Sequence, residues 1–523
     1  MTEYKAPNVL RLSLESDPRS LHPGLSGDRR SQIVQVMLFD TLMRMGPEGT
    51  LENALAERVE VLDEGRRFVF HLRDAQWSNG LPIEAKDFVH AWQMVINPES
   101  DSAFGYAFYP IKNARLIKES RMPLDSMGVR AVDARTLEVE LEYSAPYFLR
   151  LTANPIYAPI CRAADLANKR WHLGEGSGFV CSGPFMLRRL RAGNSIHLER
   201  NPQYWDAASV QIDAIQISII PEVLTSLASF EAGELDFCGE PLSELPLAAL
   251  PSLQERGLAS SLPMGGLYWY EFNTRIFPFN NKKFRQALAA ALDRKAFVQH
   301  ILHDSTEPAI SIVPRSFDLA PERSLDQVQL AHGLLQDALA EMGITAEELP
   351  PIQLSYGMGE RHRVFAQAVQ QQWREVLGLP VSLDASDPSV FLDKLFSGQF
   401  QIAGSYWYSW FDDPIYNMQI YRQASDRMNS SGWQDENYTR LLALSDKEPD
   451  VEKRWNYLRQ AEALIMEAVP VTPVFEVSYK YLQRPELQGV FISDLGQIDF
   501  RYAYYGSSSN SRTGMPADAP SSR

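Results

Sequence analysis

The stretch Phe68–Pro98, FVFHLRDAQWSNGLPIEAKDFVHAWQMVINP, carries two hydrophobic periods in succession. Phe68, Phe70 and Leu72 alternate, the period of a half-buried strand. Phe88, Trp92, Val95 and Ile96 then recur at helical spacing. Asn97-Pro98 closes that helix, because the residue before proline is pushed out of the α region. The same two periods recur along the chain. Leu137, Val139 and Leu141 alternate after the Asp133-Ala134 turn, as do Ile215, Ile217 and Ile219. Phe284, Leu288, Ala291 and Leu292 form a helical face after Pro278 and the start signal Asn280-Asn281. Phe365, Val369, Trp373, Val376 and Leu377 form another before Gly378. Interleaved strands and amphipathic helices predict a mixed α/β protein. These stripes are core faces and are assigned no function.

The chain has 523 residues, 45% hydrophobic, 22% charged and 11% aromatic, enough to bury a large core without disulfide or metal staples. Its net charge of −16 argues against nucleic acid or an anionic membrane as main partner, and would mildly attract cationic solutes. The three cysteines, Cys161, Cys181 and Cys238, form no CxxC pair, which excludes a zinc ribbon or thioredoxin-type site. An odd count leaves at least one free thiol; a Cys161–Cys181 pair stays open. No run reaches the ~18 apolar residues of a membrane span. The start, MTEYKAPNVLRLSL, lacks the charged-then-apolar design of a secretory signal and, read alone, suggests a cytoplasmic protein. From Gly506 the chain is rich in Ser, Pro and Gly and is expected to be disordered.

Motifs of catalysis are missing: no GxSxG elbow, HExxH helix, P-loop or strand-coupled GxGxxG. The run Gly174-Glu175-Gly176-Ser177-Gly178 has no following Lys and reads as a surface loop. His300 and His303, placed by spacing on the helix that begins near Phe284, lack a third metal ligand. Asp412-Asp413 are sequence neighbours, which does not make them a general acid/base pair. No enzyme, metal or cofactor is expected.

Five segments, in order across about 500 residues, resemble the oligopeptide-binding proteins of ABC importers. They are Asp17-Pro18-Arg19-Ser20-Leu21-His22-Pro23; Phe70–Arg73 through Trp77-Ser78-Asn79-Gly80-Leu81-Pro82 to Ala85-Lys86-Asp87-Phe88 and Trp92; Ser182-Gly183-Pro184-Phe185; Leu198-Glu199-Arg200-Asn201-Pro202 with Tyr204-Trp205; and Phe272-Asn273 followed by Pro278-Phe279-Asn280 and Arg285-Gln286-Ala287-Leu288. The pattern is particularly similar to members from chlamydia-like bacteria. The resemblance implies a bilobed, class II periplasmic-binding-protein fold with a third, extra domain, closing on its ligand by hinge motion. Lobe I would combine 1–30, 156–263 and 475–505; the extra domain would be 31–155, lobe II 264–474 and the tail 506–523. It implies a monomer that captures short peptides and delivers them to an ABC permease in the inner membrane, with no nucleic-acid partner. The chain would then be a mature periplasmic or otherwise extracytoplasmic form, lipid-anchored as many relatives are.

Relatives hold peptides mainly through main-chain hydrogen bonds, the strand-addition mode. Phe400–Tyr408 fits as the receiving strand, alternating and carrying a glycine where backbone can approach. Candidate ligand residues are Gly404, Ser405, Tyr406, Trp407 and Tyr408, with Trp410, Asp412 and Asp413 following. Trp410 stands where the family pattern has the aspartate that pairs with the ligand's α-ammonium. Either Asp412 or Asp413 takes over, or the ligand has no free α-amine there, as in γ-linked or N-blocked peptides. Phe104, Asp17, Pro18, Tyr268 and Tyr270 are further wall candidates; alternation sends Tyr268 and Tyr270 to one face and Trp269 to the other. Rival readings are a binder of a metal chelate, sugar or other non-peptide solute on the same scaffold, a peptidase, or a chaperone-like surface protein.

Overall fold

The structure, a computed structural model, describes residues 8–506 except 26–27, 47–48, 101, 103, 174–177, 303–305, 320–326, 410–412, 449 and 494–495. Strands that position the site are, in chain order, β1 (Val9–Leu14), β2 (Ala56–Leu62), β3 (Arg67–Leu72), β4 (Val129–Ala131), β5 (Thr136–Glu140), β6 (Phe185–Arg191), β7 (Ser195–Arg200), β8 (Ala214–Ile219), β9 (Phe237–Gly239), β10 (Ser260–Phe272), β11 (Ile352–Gly357), β12 (Val381–Ser386), β13 (Ile402–Tyr408) and β14 (Val471–Gln483). They form three main sheets. The first has the order β1-β8-β7-β6, the second β2-β3-β5-β4, and the third β9-β14-β10-β13-β11-β12.

Both alternating runs nearest the opening motif are adjacent strands: Phe70 of β3 lies opposite Leu137 of β5, and Phe68 opposite Val139. The helix between them in the chain, α1 (Ala85–Ile96), starts on a capping box in which the Glu84 N–H donates to Asp87. The same carboxylate accepts the Trp77 indole N–H at 3.1 Å and, through its other oxygen, the Arg162 N–H. Trp77 and Trp92 are fully buried. Other motif residues interlock as well. Asn201 donates to the Gly183 carbonyl from its side chain and to the Pro184 carbonyl from its backbone. Tyr204 and Trp205 both donate to Asp40, whose backbone N–H in turn donates to the Ser182 hydroxyl. A Cβ on Gly183 would sit 2.6 Å from the backbone of Leu38 and Phe39, so only glycine lets these segments meet.

The two later stripes are α2 (Lys282–Ala290), capped by Asn281, and α3 (Glu360–Leu377), which ends on Gly378 in the left-handed region. His300 is not on α2, which stops at Ala290; it lies in a separate helical turn, and His303 is outside the described residues, as are 174–177. All three cysteines are free and buried. No described helix is long and apolar enough to cross a membrane.

Two cores meet in the third sheet. Along β10, Leu267 and Trp269 point into the core that also holds the first and second sheets, whereas Tyr268, Tyr270 and Phe272 point into a second core with Phe365, Trp373 and Phe475. The strand is thus covered on both faces, as period-two geometry requires of a central strand.

Candidate functional site

The site grows from an unequal pairing of β13. On one side it pairs with β10 along its whole length, from Ile402 opposite Phe272 to Tyr408 opposite Gly266. On the other it pairs with β11 only as far as Gly404, opposite Tyr356, because β11 ends at Gly357. Among the described residues no strand pairs with Ser405–Tyr408 on that side. The direction of the free groups follows from the ladder. The Ser409 N–H donates to the Gly265 carbonyl at 2.9 Å, and the Asn273 N–H to the Gln401 carbonyl at 3.0 Å. Odd-numbered residues of β13 therefore turn their N–H and C=O to β10, and Tyr406 and Tyr408 turn theirs to the open edge.

Gly404 is where the backbone packs closest: a Cβ there would lie 2.6 Å from the Tyr270 ring and 2.8 Å from the Tyr268 hydroxyl. Ser405 and Trp407 face the opposite way. The Trp407 ring stacks on Trp269 at 5.4 Å and packs against Tyr416 at 5.7 Å. Its buried indole N–H finds no acceptor among the described residues. Tyr406 and Tyr408 stack on each other at 5.8 Å, and the Arg29 guanidinium lies 4.8 Å from the Tyr408 ring.

The remaining candidates are scattered. Tyr268 and Tyr270 are fully buried in the second core and line no open cleft; a strand with both faces covered leaves their face no solvent. Asp17, beside Pro18, accepts the Gly193 N–H at 2.6 Å and ties the N-terminal segment to the β6–β7 turn. Phe104 is partly buried against the large core and packs on Tyr106 at 6.2 Å. Asp413 is held by Arg454 in a buried two-bond pair, so its charge is already neutralised. Trp410 and Asp412 lie outside the described residues.

Sequence reasoning missed a charged cluster beside Tyr406, at the seam where α3 meets the segment Glu240–Leu245. Arg361, on the first turn of α3, pairs with Glu240 at 2.8 Å and Glu244 at 3.3 Å, and donates to the Leu245 carbonyl. Glu240 also accepts the Lys480 N–H of β14. Glu15 accepts the Glu244 N–H and pairs with Arg30 at 3.1 Å. Burial pushes the Glu244 carboxyl up to about 7, against the pull of Arg361. Next to Arg361, burial and that guanidinium hold His362 down at about 4, with its ring 5.4 Å from Tyr406. No sequence signal joins these residues, since they come from four distant segments.

Between Arg361, Glu240, Tyr406, Phe475, Ser478 and Lys480 remains a cavity of about 20 Å3. That is room for about one water, far below the ~300 Å3 of a small-molecule site. This cavity beside Tyr406 is too small to admit a peptide. Among the described residues no group of three or more His, Cys, Asp or Glu side chains is placed to hold a metal ion.

This architecture is shared with known proteins. A family model described as bacterial extracellular solute-binding proteins, family 5 (middle), matches residues 50–429. The oligopeptide-binding protein OppA of Bacillus subtilis is 36% identical over 510 residues, covering 96% of this chain and 94% of that protein. The probable deoxycholate-binding periplasmic protein YgiS of Escherichia coli is 30% identical over 499 residues, 93% and 91% of the two chains. A crystal structure of a periplasmic oligopeptide-binding protein from Borrelia burgdorferi superposes with a TM-score of 0.87 at 26% identity, over 95% of this chain and 99% of that one. With a multi-domain, bilobed binding-protein fold and a family match spanning most of its length, the chain belongs to the bacterial extracellular solute-binding proteins of family 5.

Proposed function

We propose that this protein is the extracytoplasmic solute-binding component of an ABC importer, catching a short peptide between its lobes and passing it to the permease without chemical change. The observation that carries this reading is the open edge of β13, where the main-chain donors and acceptors of Tyr406 and Tyr408 have no partner among the described residues. An extended peptide added there gains a ladder of hydrogen bonds that is indifferent to its side chains. The buried Trp407 N–H offers one further donor beside the edge. Relatives named for oligopeptide and dipeptide binding support the same substrate class.

We assign the hinge to β10 and β14, each thirteen residues long and paired through the seam. The lobe boundaries at 263/264 and 474/475 fall inside these two strands, and their register shifts between Pro263 and Leu267. The extra domain of residues 31–155 carries the second sheet. A monomer, lipid-anchored outside the cytoplasm, completes this reading.

A narrower reading concerns the ligand's amino end. By the family resemblance Trp410 stands where relatives have the aspartate; of the two acids that could replace it, Asp413 is committed to Arg454 and Asp412 lies outside the described residues. A ligand whose α-amine is blocked or displaced, such as an N-acylated or γ-linked peptide, fits this charge pattern.

Titration calorimetry of the full chain with one tripeptide series tests both readings. Backbone N-methylation at alternate positions should weaken binding at least tenfold in one register and little in the other. Equal affinity for every N-methyl isomer removes strand addition. Preference for free-amine over N-acetylated peptides removes the narrower reading alone. Appearance of hydrolysed peptide would make the protein a peptidase.

A further inference from the structure

A second cavity, of about 330 Å3, shares no lining residue with β13 and lies between the unit carrying the second sheet and residues 419–446. One wall presents the rings of Tyr106, Tyr109 and Tyr143. Ile420 and Met428 supply apolar surface opposite. The volume falls within the range of small-molecule sites.

Its charges do not cancel. Arg422 is consumed by Asp446 in a two-bond pair at 2.7 and 2.8 Å. Arg115 pairs with Glu119 at 2.9 Å and donates to Gln423 across the gap. Two carboxylates remain, one from each wall. Asp426 accepts the Met428 N–H and Glu142 the Asn113 N–H, and neither has a cationic partner among the described residues. The tyrosine wall also shows its face to positive charge: the Arg115 guanidinium stands 5.7 Å from the Tyr109 ring centre.

A hydrated divalent metal prefers several oxygen ligands, which two carboxylates on opposite walls do not supply. An anion would meet both free carboxylates and find both arginines occupied. An organic cation satisfies everything at once, since its charge offsets the carboxylates and its body covers rings and methionine.

We propose that this cavity is a separate binding site for an organic monocation, a primary ammonium on a compact apolar or aromatic body. The charge sits between Asp426 and Glu142, and the body lies against Tyr106 and Tyr109. Because the walls come from two units of the fold, the occupant also fastens them together. The proposal stands apart from peptide capture at β13.

Ligand-observed NMR and calorimetry on the full chain, with benzylammonium as probe and benzyl alcohol as its neutral counterpart, test it. Benzylammonium should bind at least tenfold more tightly than benzyl alcohol. Asp426→Asn, which keeps an acceptor for the Met428 N–H, should weaken the ammonium at least tenfold and leave the alcohol unchanged. Tyr109→Leu should weaken it severalfold, and serves if Asp426→Asn fails to fold. Equal binding of ammonium and alcohol, or an unchanged affinity in Asp426→Asn, overturns the site. Mutual displacement by a cleft-bound peptide would place the probe at β13 and overturn its separateness. Should no peptide bind at all, the benzylammonium measurements still decide this proposal.

Discussion

Arg454 grips Asp413 with both terminal nitrogens, at 2.8 and 2.9 Å, and both side chains are nearly sealed from water. A carboxylate so engaged is unavailable to a ligand. Removing one partner strands the other as a buried charge, a loss of ~3–5 kcal/mol. Asp413→Ala and Arg454→Met should each destabilise on that scale in denaturant unfolding. The double variant should recover part of the loss. Ligand charge preference should not move in Asp413→Asn; a change there would restore Asp413 as a ligand group.

Gly404 admits no side chain without displacing Tyr268 or Tyr270, which are fully buried. Overpacking of this kind costs about 1–3 kcal/mol. Gly404→Ala should lower the unfolding free energy by that amount and shift the open edge, weakening any bound peptide. An unchanged denaturation midpoint would show that the tyrosines yield freely.

His22 is 2% exposed and its Nδ1 accepts the Gly24 N–H. Burial, with a smaller push from His172, holds its imidazole down at about 3, although Asp165 pulls the other way. The unfolded chain takes up that proton near 6.5 and the folded chain does not. Its contribution to stability is complete above about 6.5 and is lost as pH falls toward 3, at up to about 1.4 kcal/mol per pH unit. His22→Asn retains an acceptor and does not titrate, so its acid limb should be shallower by about one proton. Parallel limbs in the two proteins would refute the assignment.

Arg361 is the one cation facing both Glu240 and Glu244 within pairing distance among the described residues. Arg361→Met removes the cation that ties α3 to this carboxylate pair and leaves two acids together on the other side of the seam. The ligand-free protein should open, seen as a larger radius of gyration in X-ray scattering. An unchanged radius would show that apolar packing alone keeps the seam shut.

Much of the fold was legible because the recognisable motifs are structural. Trp77, Asp87 and Trp92 set up a helix start and a core. Ser182-Gly183-Pro184 and Asn201 bond each other, and Arg285 ties α2 to the carbonyls of Phe279, Ala468 and Val469. Such residues identify a scaffold and say little about its solute. The strand over Ile402–Tyr408 was legible too, since alternation plus a glycine marks a strand with close backbone contact. Period two also placed Tyr268 and Tyr270 on one face, but it cannot say whether that face meets solvent or a second core. Asp413 looked available because Arg454 is 41 residues away in sequence. The Arg361 cluster was invisible for the same reason: Coulomb partners are chosen in space, and the chain carries no periodic trace of them.

The seam cavity, with room for about one water, has a thermodynamic consequence for selectivity. A closed, empty protein competes with its own ligand. If only about a hundredth of the molecules are open, the measured dissociation constant is about a hundredfold higher than that of the open form. Affinity can therefore be set far from the solute, by contacts that decide how often the door stands ajar. Two chains with identical β13 edges could then scavenge at very different concentrations.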